Sequence, residues 1–186
     1  MPTTFVLVRH AQGYHNVDGD IRGENAYKDP IHLDAELTQY GIIQAKANYI
    51  GNEKFDAIYS SPMKRCIQTL IYMYPQAEYL PVYLDDRLIE HPQGLYMCNK
   101  RLEKLNIVES VPKIWNTDKV FNRNPHILNT SVDENNLISF TKYIKAIHPN
   151  QKVLIITHGK WIDNWLLKYK YVTRYINNCE IIRETI

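Results

Sequence analysis

Three short apolar runs stand out in the hydrophobic pattern of the chain, in the segments TFVLVRH, DAIYSS and KVLIIT. Each run ends in polar residues, which is typical of strands buried on both faces of a parallel sheet. Val82–Leu84 predicts a further short strand. NCEIIRE, near the end of the chain, predicts a last strand at the edge of the sheet.

Between the first two strands the pattern predicts a loop and then a helix. Ala11–Glu36 is polar and carries several glycines, so we expect a loop there. Thr38 is a good N-cap for a helix through GIIQAKANYI, and Gly51 lies where a C-terminal cap belongs. Apolar residues spaced i, i+4 and i+7 predict the buried face of this helix: Ile43, Ala47 and Ile50.

Two more helices are predicted directly after the strands DAIYSS and KVLIIT. Ser61 as N-cap and Pro62 in the first turn predict a helix through MKRCIQTLIYM. HGKWIDNWLLKY predicts the other helix, and its residues Trp161 and Trp165 are four positions apart. We expect both tryptophans in the core rather than at a substrate site.

From 91 to 130 the chain has no sustained period and contains three prolines. Functionless loops of this length are uncommon, so the segment predicts an irregular inserted lid. Ser131 and Glu134 then have the spacing of an S-x-x-E capping box. The helix that follows has an apolar face formed by Leu137, Phe140, Ile144 and Ile147.

The alternation of strands and helices predicts one domain spanning 1–186. Its fold class is α/β, a three-layer α/β/α sandwich with a mostly parallel central sheet and an inserted lid around 91–130. A length of 186 residues is ample for one buried core.

Charge and cysteine content narrow the range of partners. The net charge of +2 does not indicate a nucleic acid or an anionic membrane surface. The three cysteines form neither a disulfide framework nor a metal-spaced pair. The first apolar run is too short for a signal peptide or a membrane span, so we expect a cytoplasmic protein.

The candidate chemistry lies at the ends of the predicted strands, where parallel α/β sheets place their working residues. The first strand ends in Arg9 and His10, and the strand KVLIIT is followed by His158. Arg65 comes one helical turn after the strand DAIYSS. If these side chains are neighbours, two guanidiniums and two imidazoles converge, and such a cluster calls for a phosphate or sulfate.

The residue types suit that anion. Arginine donates two parallel hydrogen bonds to phosphate oxygens. Nearby cations lower the pKa of His10, which keeps a ring nitrogen unprotonated and nucleophilic. Glu90 is the best-placed acid to protonate a leaving oxygen, ahead of Asp85 and Asp86.

Five segments in register closely resemble the histidine phosphatase superfamily, in its phosphoglycerate-mutase-like branch 1. The segments are VRHA at 8–11, LTQYGIIQA at 37–45, YSSPMKRCIQT at 59–69, LIEHPQG at 88–94 and ITHG at 156–159. Any one of them is a weak signal. All five in the order of the family, over nearly the whole chain, are a strong one.

The resemblance implies a phosphatase that needs no metal and no nucleotide. It implies that His10 forms a phosphohistidine and that Glu90 donates the proton. Arg9, Arg65 and His158 would hold the phosphoryl group, and Asn16 matches a position that contacts the phosphate. The pair formed by His15 and Asn16 is similar to the phosphatase subgroups rather than to the mutases.

Two departures from the family pattern leave alternatives open. Ala11 replaces the usual glycine after the Arg-His pair, so a catalytically weak phospho-ligand binding protein is one alternative. Gln12 replaces an acidic residue common in the mutases, and the chain lacks the extra length of a mutase. These features favour hydrolysis, although a phosphomutase is the other alternative.

The substrate is expected to be a small phosphorylated compound or a phosphoprotein, and the sequence identifies neither it nor the oligomeric state. The segment 91–130 carries a surplus of positive charge. Within it, Lys100 and Arg101 are predicted to steer or bind an anionic part of the substrate. Motifs of P-loop nucleotide enzymes, cysteine phosphatases, two-histidine phosphoesterases and serine hydrolases are absent from the sequence.

Overall fold

A mostly parallel sheet forms the centre of the computed structural model, which describes residues 1–90, 96–121 and 130–186, with only the backbone of 130–134. In this part of the chain the sheet has six strands in the order β4-β3-β2-β5-β1-β6. All neighbouring strands are parallel except β6, which pairs antiparallel with β1 at one edge. The strands are β1 (Thr4–Arg9), β2 (Ala57–Ser60), β3 (Tyr83–Asp85), β4 (Asn116–Lys119), β5 (Lys152–Thr157) and β6 (Ile181–Thr185).

Helices cover both faces of the sheet, as the three-layer prediction requires. They are α1 (Tyr14–Arg22), α2 (Glu24–Lys28), α3 (Gln39–Ala47), α4 (Lys64–Met73), α5 (Lys104–Ser110), α6 (Thr130–Ile147) and α7 (Gly159–Lys170). Short 3-10 turns lie at Pro30–His32, Pro75–Tyr79, Asp86–Leu88 and Met97–Asn99. Among the described residues, no helix has both the length and the apolar character needed to cross a bilayer.

The two apolar cores follow from the alternation of side chains along each strand. Val6 and Val8 of β1 face the core that α3 and α4 cover. Phe5 and Leu7 face the core that α6 and α7 cover. β1, β2 and β5 therefore carry continuous apolar runs because each is buried on both faces, and the strand predictions are confirmed.

The prediction of a loop over Ala11–Glu36 is wrong. Most of this segment forms α1, α2 and the first 3-10 turn. The apolar residues of α1 do not mark a buried face, since Val17 and Ile21 are exposed and His15 is the buried residue. A helix that buries a histidine has no apolar period for sequence reasoning to detect.

Helix α3 begins as predicted, with Thr38 Oγ1 accepting a hydrogen bond from the Gly41 amide at 2.9 Å. It ends at Ala47, earlier than the predicted cap at Gly51. The predicted buried face is wrong for two of its three residues, because Ile43 is 63% exposed and Ala47 is exposed. Ile50 is buried as predicted, but it lies beyond the end of the helix. Gly41 is buried instead, and a Cβ there would lie 2.1 Å from the Gln12 carbonyl oxygen.

Two other helix predictions need smaller corrections. Helix α4 begins at Lys64 with Met63 as its N-cap, rather than with Ser61. On α6, three of the predicted core residues are buried, whereas Ile147 is 45% exposed. The predicted capping box at Ser131 and Glu134 lies outside the described side chains.

The segment 91–130 is more regular than predicted where it is described. It contains α5 and the strand β4, which extends the central sheet by pairing with β3. Two buried carboxylates tie it to the body of the protein. Asp86 forms an ion pair with Arg101 at 2.7 Å, and Asp34 accepts hydrogen bonds from the Lys64 and Leu102 amides.

A substitution at Trp165 can test the core between the sheet and α7. Its side chain is fully buried, with its ring 5.3 Å from that of Phe5. Trp165→Ala should lower the free energy of unfolding by about 3–5 kcal/mol, because it removes a large buried ring. Urea denaturation measures this change. Leu167→Ala, at a side chain 52% exposed on the same helix, should change stability by about 0.5 kcal/mol or less. Similar losses in both variants would contradict this account of the core.

Candidate active site

The register of β1 and β5 brings two histidines side by side. Arg9 pairs with Thr157 in this parallel ladder, so the next residues, His10 and His158, leave the sheet at the same edge. Their ring centroids are 5.2 Å apart. This is the convergence at the carboxyl ends of the strands that the sequence predicted.

Arg65 connects the two imidazoles. Its Nε donates to His10 Nε2 at 3.2 Å, and its Nη2 lies 3.1 Å from His158 Nδ1. A guanidinium only donates, so each of these ring nitrogens presents a lone pair and both rings are neutral. His158 Nε2 then donates to Ser61 Oγ at 3.0 Å. Arg65 is fully buried. From the sequence alone, an arginine in this helix could equally have been a surface charge.

Hydrogen bonds on both ring nitrogens fix the tautomer of His10. Its Nδ1–H donates to the Ala11 carbonyl at 2.7 Å, which leaves the lone pair on Nε2. Burial, and then the positive charge of Arg65 and of Arg9, hold the pKa of His10 well below 6.5. Burial lowers the pKa of His10 more than any single one of the cations on which the sequence analysis relied.

The inserted segment holds the other side of Arg65. The Nη1 of Arg65 donates to the Cys98 carbonyl at 2.7 Å, and its Nη2 to Asn99 Oδ1 at 3.4 Å. Asp34 accepts from the backbone of Lys64, next to Arg65, and from the backbone of Leu102, just beyond Asn99. The segment therefore supplies two of the hydrogen-bond partners of the buried guanidinium. Neither Asp34 nor Asn99 has a sequence motif that could have identified it.

Arg9 lies on the opposite side of the site. Its guanidinium donates to the Ile176 carbonyl at 2.5 Å and to the Tyr175 hydroxyl at 3.1 Å. Its Nε is buried, and no described residue forms a hydrogen bond with it. Gly159 allows this approach, because a Cβ at that position would lie 3.1 Å from the same Nε.

His10, Arg65 and His158 are buried beside a cavity of about 370 Å³, and none of the three lines it. Its lining includes three residues that the sequence analysis assigned to the site, namely Arg9, Asn16 and Glu90. Glu90 Oε1 accepts a hydrogen bond from the Lys160 amide at the N-terminus of α7, at 2.8 Å. Asn16 Oδ1 accepts from the Gly13 amide at 2.9 Å, which fixes the start of α1.

The geometry contradicts the predicted substrate role of Arg101. Its side chain is buried, pairs with Asp86 and donates to the Phe121 carbonyl. Neither Arg101 nor Lys100 lines the cavity. Arg101 fastens the inserted segment, and the sequence could not distinguish this role from substrate steering. Asp85 is likewise occupied, since it pairs with Arg87 at 2.6 Å.

Several other residues near the site have structural contacts. Ala11 is fully buried in an apolar core, and its amide donates to Thr69 Oγ1 at 2.9 Å. Its methyl group therefore packs into the core. Cys66 is buried beside His158, and burial raises the pKa of its thiol to about 12.

His15 is the residue of this cavity that sequence reasoning valued too little. It is buried, lines the cavity, and its ring centroid lies 5.5 Å from that of His10. Among the described residues, its Nδ1 has no hydrogen-bond partner. His32 pairs with Asp18 at 2.7 Å, and His91 lies outside the described residues. Across the described ranges, no group of three His, Cys, Asp or Glu side chains is arranged to hold a metal ion.

Comparison with known proteins places the chain in a family. The family model of the histidine phosphatase superfamily (branch 1) matches residues 5–173, and the chain belongs to this family. Phosphoserine phosphatase 1 of Hydrogenobacter thermophilus is 30% identical over 162 residues, which cover 82% of this chain and 69% of that protein.

Solved structures show the same fold. A phosphoglycerate mutase of Bacillus anthracis matches with a TM-score of 0.69 and 18% identity, over 100% of this chain and 88% of that one. A phosphoserine phosphatase mutant of Entamoeba histolytica, in complex with phosphoserine, matches with a TM-score of 0.63 and 22% identity. That match covers 97% of this chain and 89% of the other. The predicted family and fold class are confirmed.

Two buried histidines make stability depend on pH. Burial, followed by nearby positive charge, holds the pKa of His10 and of His15 well below 6.5. The unfolded chain therefore binds more protons than the folded protein as the pH falls below 6.5. Each histidine should then lower the free energy of unfolding by up to about 1.4 kcal/mol per pH unit.

His15→Gln should remove one such contribution. Urea denaturation of wild type and variant, between about pH 7.5 and pH 5.5, measures the change. The loss of stability on acidification should be smaller in the variant, with the values near pH 7.5 as the baseline. An equal loss in both proteins would contradict the assignment of His15 as a buried neutral imidazole.

Proposed function

We propose that the protein is a metal-independent phosphatase that hydrolyses phosphate monoesters through a phosphohistidine at His10. The observation that carries the proposal is the buried guanidinium of Arg65, bonded to the imidazoles of His10 and His158 at the edge of the sheet. A phosphate dianion satisfies this cluster because it accepts from both arginines.

In the first step, the lone pair on His10 Nε2 attacks phosphorus in line with the ester bond. The P–O bond breaks, and its electron pair stays on the leaving oxygen, which takes a proton from Glu90. The equatorial oxygens accept hydrogen bonds from Arg9 and Arg65. With the dianion bound, His158 takes up a proton from water at Nδ1 and donates a third hydrogen bond to these oxygens. Arg65 Nε transfers its hydrogen bond from His10 to the phosphate, which frees the nucleophile.

In the second step, water attacks the phosphorus of the phosphohistidine and gives a proton to the ionised Glu90. The P–N bond breaks and returns its electron pair to His10 Nε2, and inorganic phosphate leaves. Glu90 lines the cavity and is held at the N-terminus of α7, a position suited to both proton transfers.

Metal independence is supported by the charge of the site. The positive charges of Arg9 and Arg65 would repel a metal cation. The two arginines also neutralise the negative charge of the phosphate, which a metal does in other phosphatases. Phosphoserine phosphatases among the relatives support hydrolysis, and a phosphomutase would require a second alcohol in place of water.

The first test is removal of the nucleophile. His10→Ala should reduce hydrolysis of p-nitrophenyl phosphate at least about a thousandfold, because the covalent intermediate cannot form. Rapid-quench experiments on wild type with a ³²P-labelled substrate should trap an acid-labile phosphoenzyme.

His148→Ala is the matched control, since His148 bonds to Tyr59 and does not line the cavity. It should keep full activity, and excess EDTA should not inhibit the wild type. Binding of phosphate without turnover in wild type would indicate a phospho-ligand binding protein instead. Transfer of phosphate to an added alcohol in preference to water would indicate a mutase.

The second test separates the proton donor from the nucleophile. Glu90→Gln should lower kcat for an alkyl phosphate by about 10²–10⁴-fold, because its leaving oxygen needs a proton. The loss should be much smaller for p-nitrophenyl phosphate, whose leaving group departs as an anion. Glu78→Gln, at an exposed glutamate, is the control. Equal losses for both substrates would show that Glu90 is not the general acid.

A further inference from the structure

One wall of the cavity is a row of aromatic rings that begins at the proposed nucleophile. The ring of His15 lies 5.5 Å from that of His10, Tyr27 lies 6.2 Å beyond His15, and Tyr96 lies 6.4 Å beyond Tyr27. The last three line the cavity. A phosphate monoester bound with its phosphorus at His10, before the ester bond breaks, would therefore have its alcohol portion near a wall of π systems.

Glycines make room for two of these rings. A Cβ at Gly13 would lie 2.8 Å from Cε1 and Nδ1 of His15. A Cβ at Gly19 would lie 2.4 Å from the hydroxyl of Tyr27. A side chain at Gly13 would displace the ring of His15, and one at Gly19 would displace the ring of Tyr27. The aromatic wall therefore requires both glycines.

Polar contacts hold the outer end of the row. The Tyr96 hydroxyl donates to the Glu24 carboxylate, and Glu24 pairs with Lys28 at 3.1 Å. The Lys28 ammonium lies 5.9 Å from the centroid of the Tyr96 ring. Burial raises the pKa of Tyr27, so its ring remains a neutral phenol. These contacts join α2 to the inserted segment and fix the rings relative to each other.

The charged residues around the outer cavity do not favour a compact anionic substituent. Its lysine and arginine are paired, Lys160 with Asp163 at 2.9 Å and Arg174 with Glu180 at 2.5 Å. Glu24 and Asp163 also line the cavity and would repel a carboxylate. Arg9 and Arg65 are committed to the phosphoryl group.

We propose that this wall selects phosphate monoesters whose alcohol portion carries a flat aromatic ring. The proposal rests on the phosphatase function above and names its substrate class. It separates this protein from those relatives that are named for phosphoserine, a small zwitterionic substrate. Aromatic rings gain from offset or edge-on contact with other rings beyond the burial of area alone.

Binding of non-hydrolysable phosphonates tests the wall without requiring turnover. Isothermal titration calorimetry should compare benzylphosphonate with cyclohexylmethylphosphonate, which is similar in size but not flat, and with (2-carboxyethyl)phosphonate. Benzylphosphonate should bind about three- to tenfold more tightly than either, the range expected for one aromatic contact. Equal or tighter binding of the carboxylate compound would overturn the proposal, and so would equal binding of the two rings.

Variants locate the effect. Tyr27→Leu and Tyr96→Leu should each lower the preference for the benzyl compound over the cyclohexylmethyl compound, and leave the affinity for inorganic phosphate within about twofold. Tyr79→Leu, at a tyrosine 79% exposed, is the matched control and should keep the preference. An unchanged preference in both wall variants would overturn the proposal.

Failure of the wall and failure of the proposed function are distinguishable. If His10→Ala abolishes hydrolysis of benzyl phosphate and ethyl phosphate alike, yet wild type shows no preference for the benzyl compounds, only the wall proposal is wrong. If wild type hydrolyses neither ester but binds benzylphosphonate selectively, the wall proposal stands and the phosphatase function fails.

Discussion

The contact on which the site depends is the hydrogen bonding of the buried Arg65 guanidinium to two imidazoles. A cation taken out of water is strongly penalised unless its hydrogen-bonding groups are matched. Here it donates to His10, His158, the Cys98 carbonyl and the Asn99 side chain, all of them neutral groups. These partners satisfy the hydrogen-bond donors of Arg65 but do not neutralise its positive charge. A phosphate entering the site would therefore meet a preorganised electrostatic attraction.

The same requirement explains why the inserted segment is fastened so firmly. The Cys98 carbonyl and Asn99 amide must stay within hydrogen-bond reach of Arg65, across more than thirty residues of sequence. Asp34 joins the backbone on both sides of this contact, and the ion pair between Asp86 and Arg101 fixes the chain just beyond it. A charge on a segment near an anion site can therefore serve the position of that segment rather than the substrate.

This distinction marks how far the sequence predicts the structure. Arg9, His10 and His158 could be placed together because they follow apolar strands, and parallel strands of one sheet end at a common edge. The partners of Arg65 could not, since a backbone carbonyl such as that of Cys98 has no sequence signature. The sequence did not predict α1, because this helix buries a histidine instead of an apolar stripe. The buried face of α3 was predicted wrongly, because that helix approaches the Gln12 carbonyl closely at Gly41.

The division of labour in the cavity follows from how catalysis and specificity differ. Contacts to the phosphoryl group are the same for every monoester, so in the proposed function the cluster around His10 would determine the reaction and could not choose a substrate. Choice would require contacts to the departing alcohol, which we propose lie along the wall formed by His15, Tyr27 and Tyr96. The outer rings of the wall come from α2 and the inserted segment. The sequence of these two segments can therefore change without altering the residues at the strand ends, to which the chemistry is assigned.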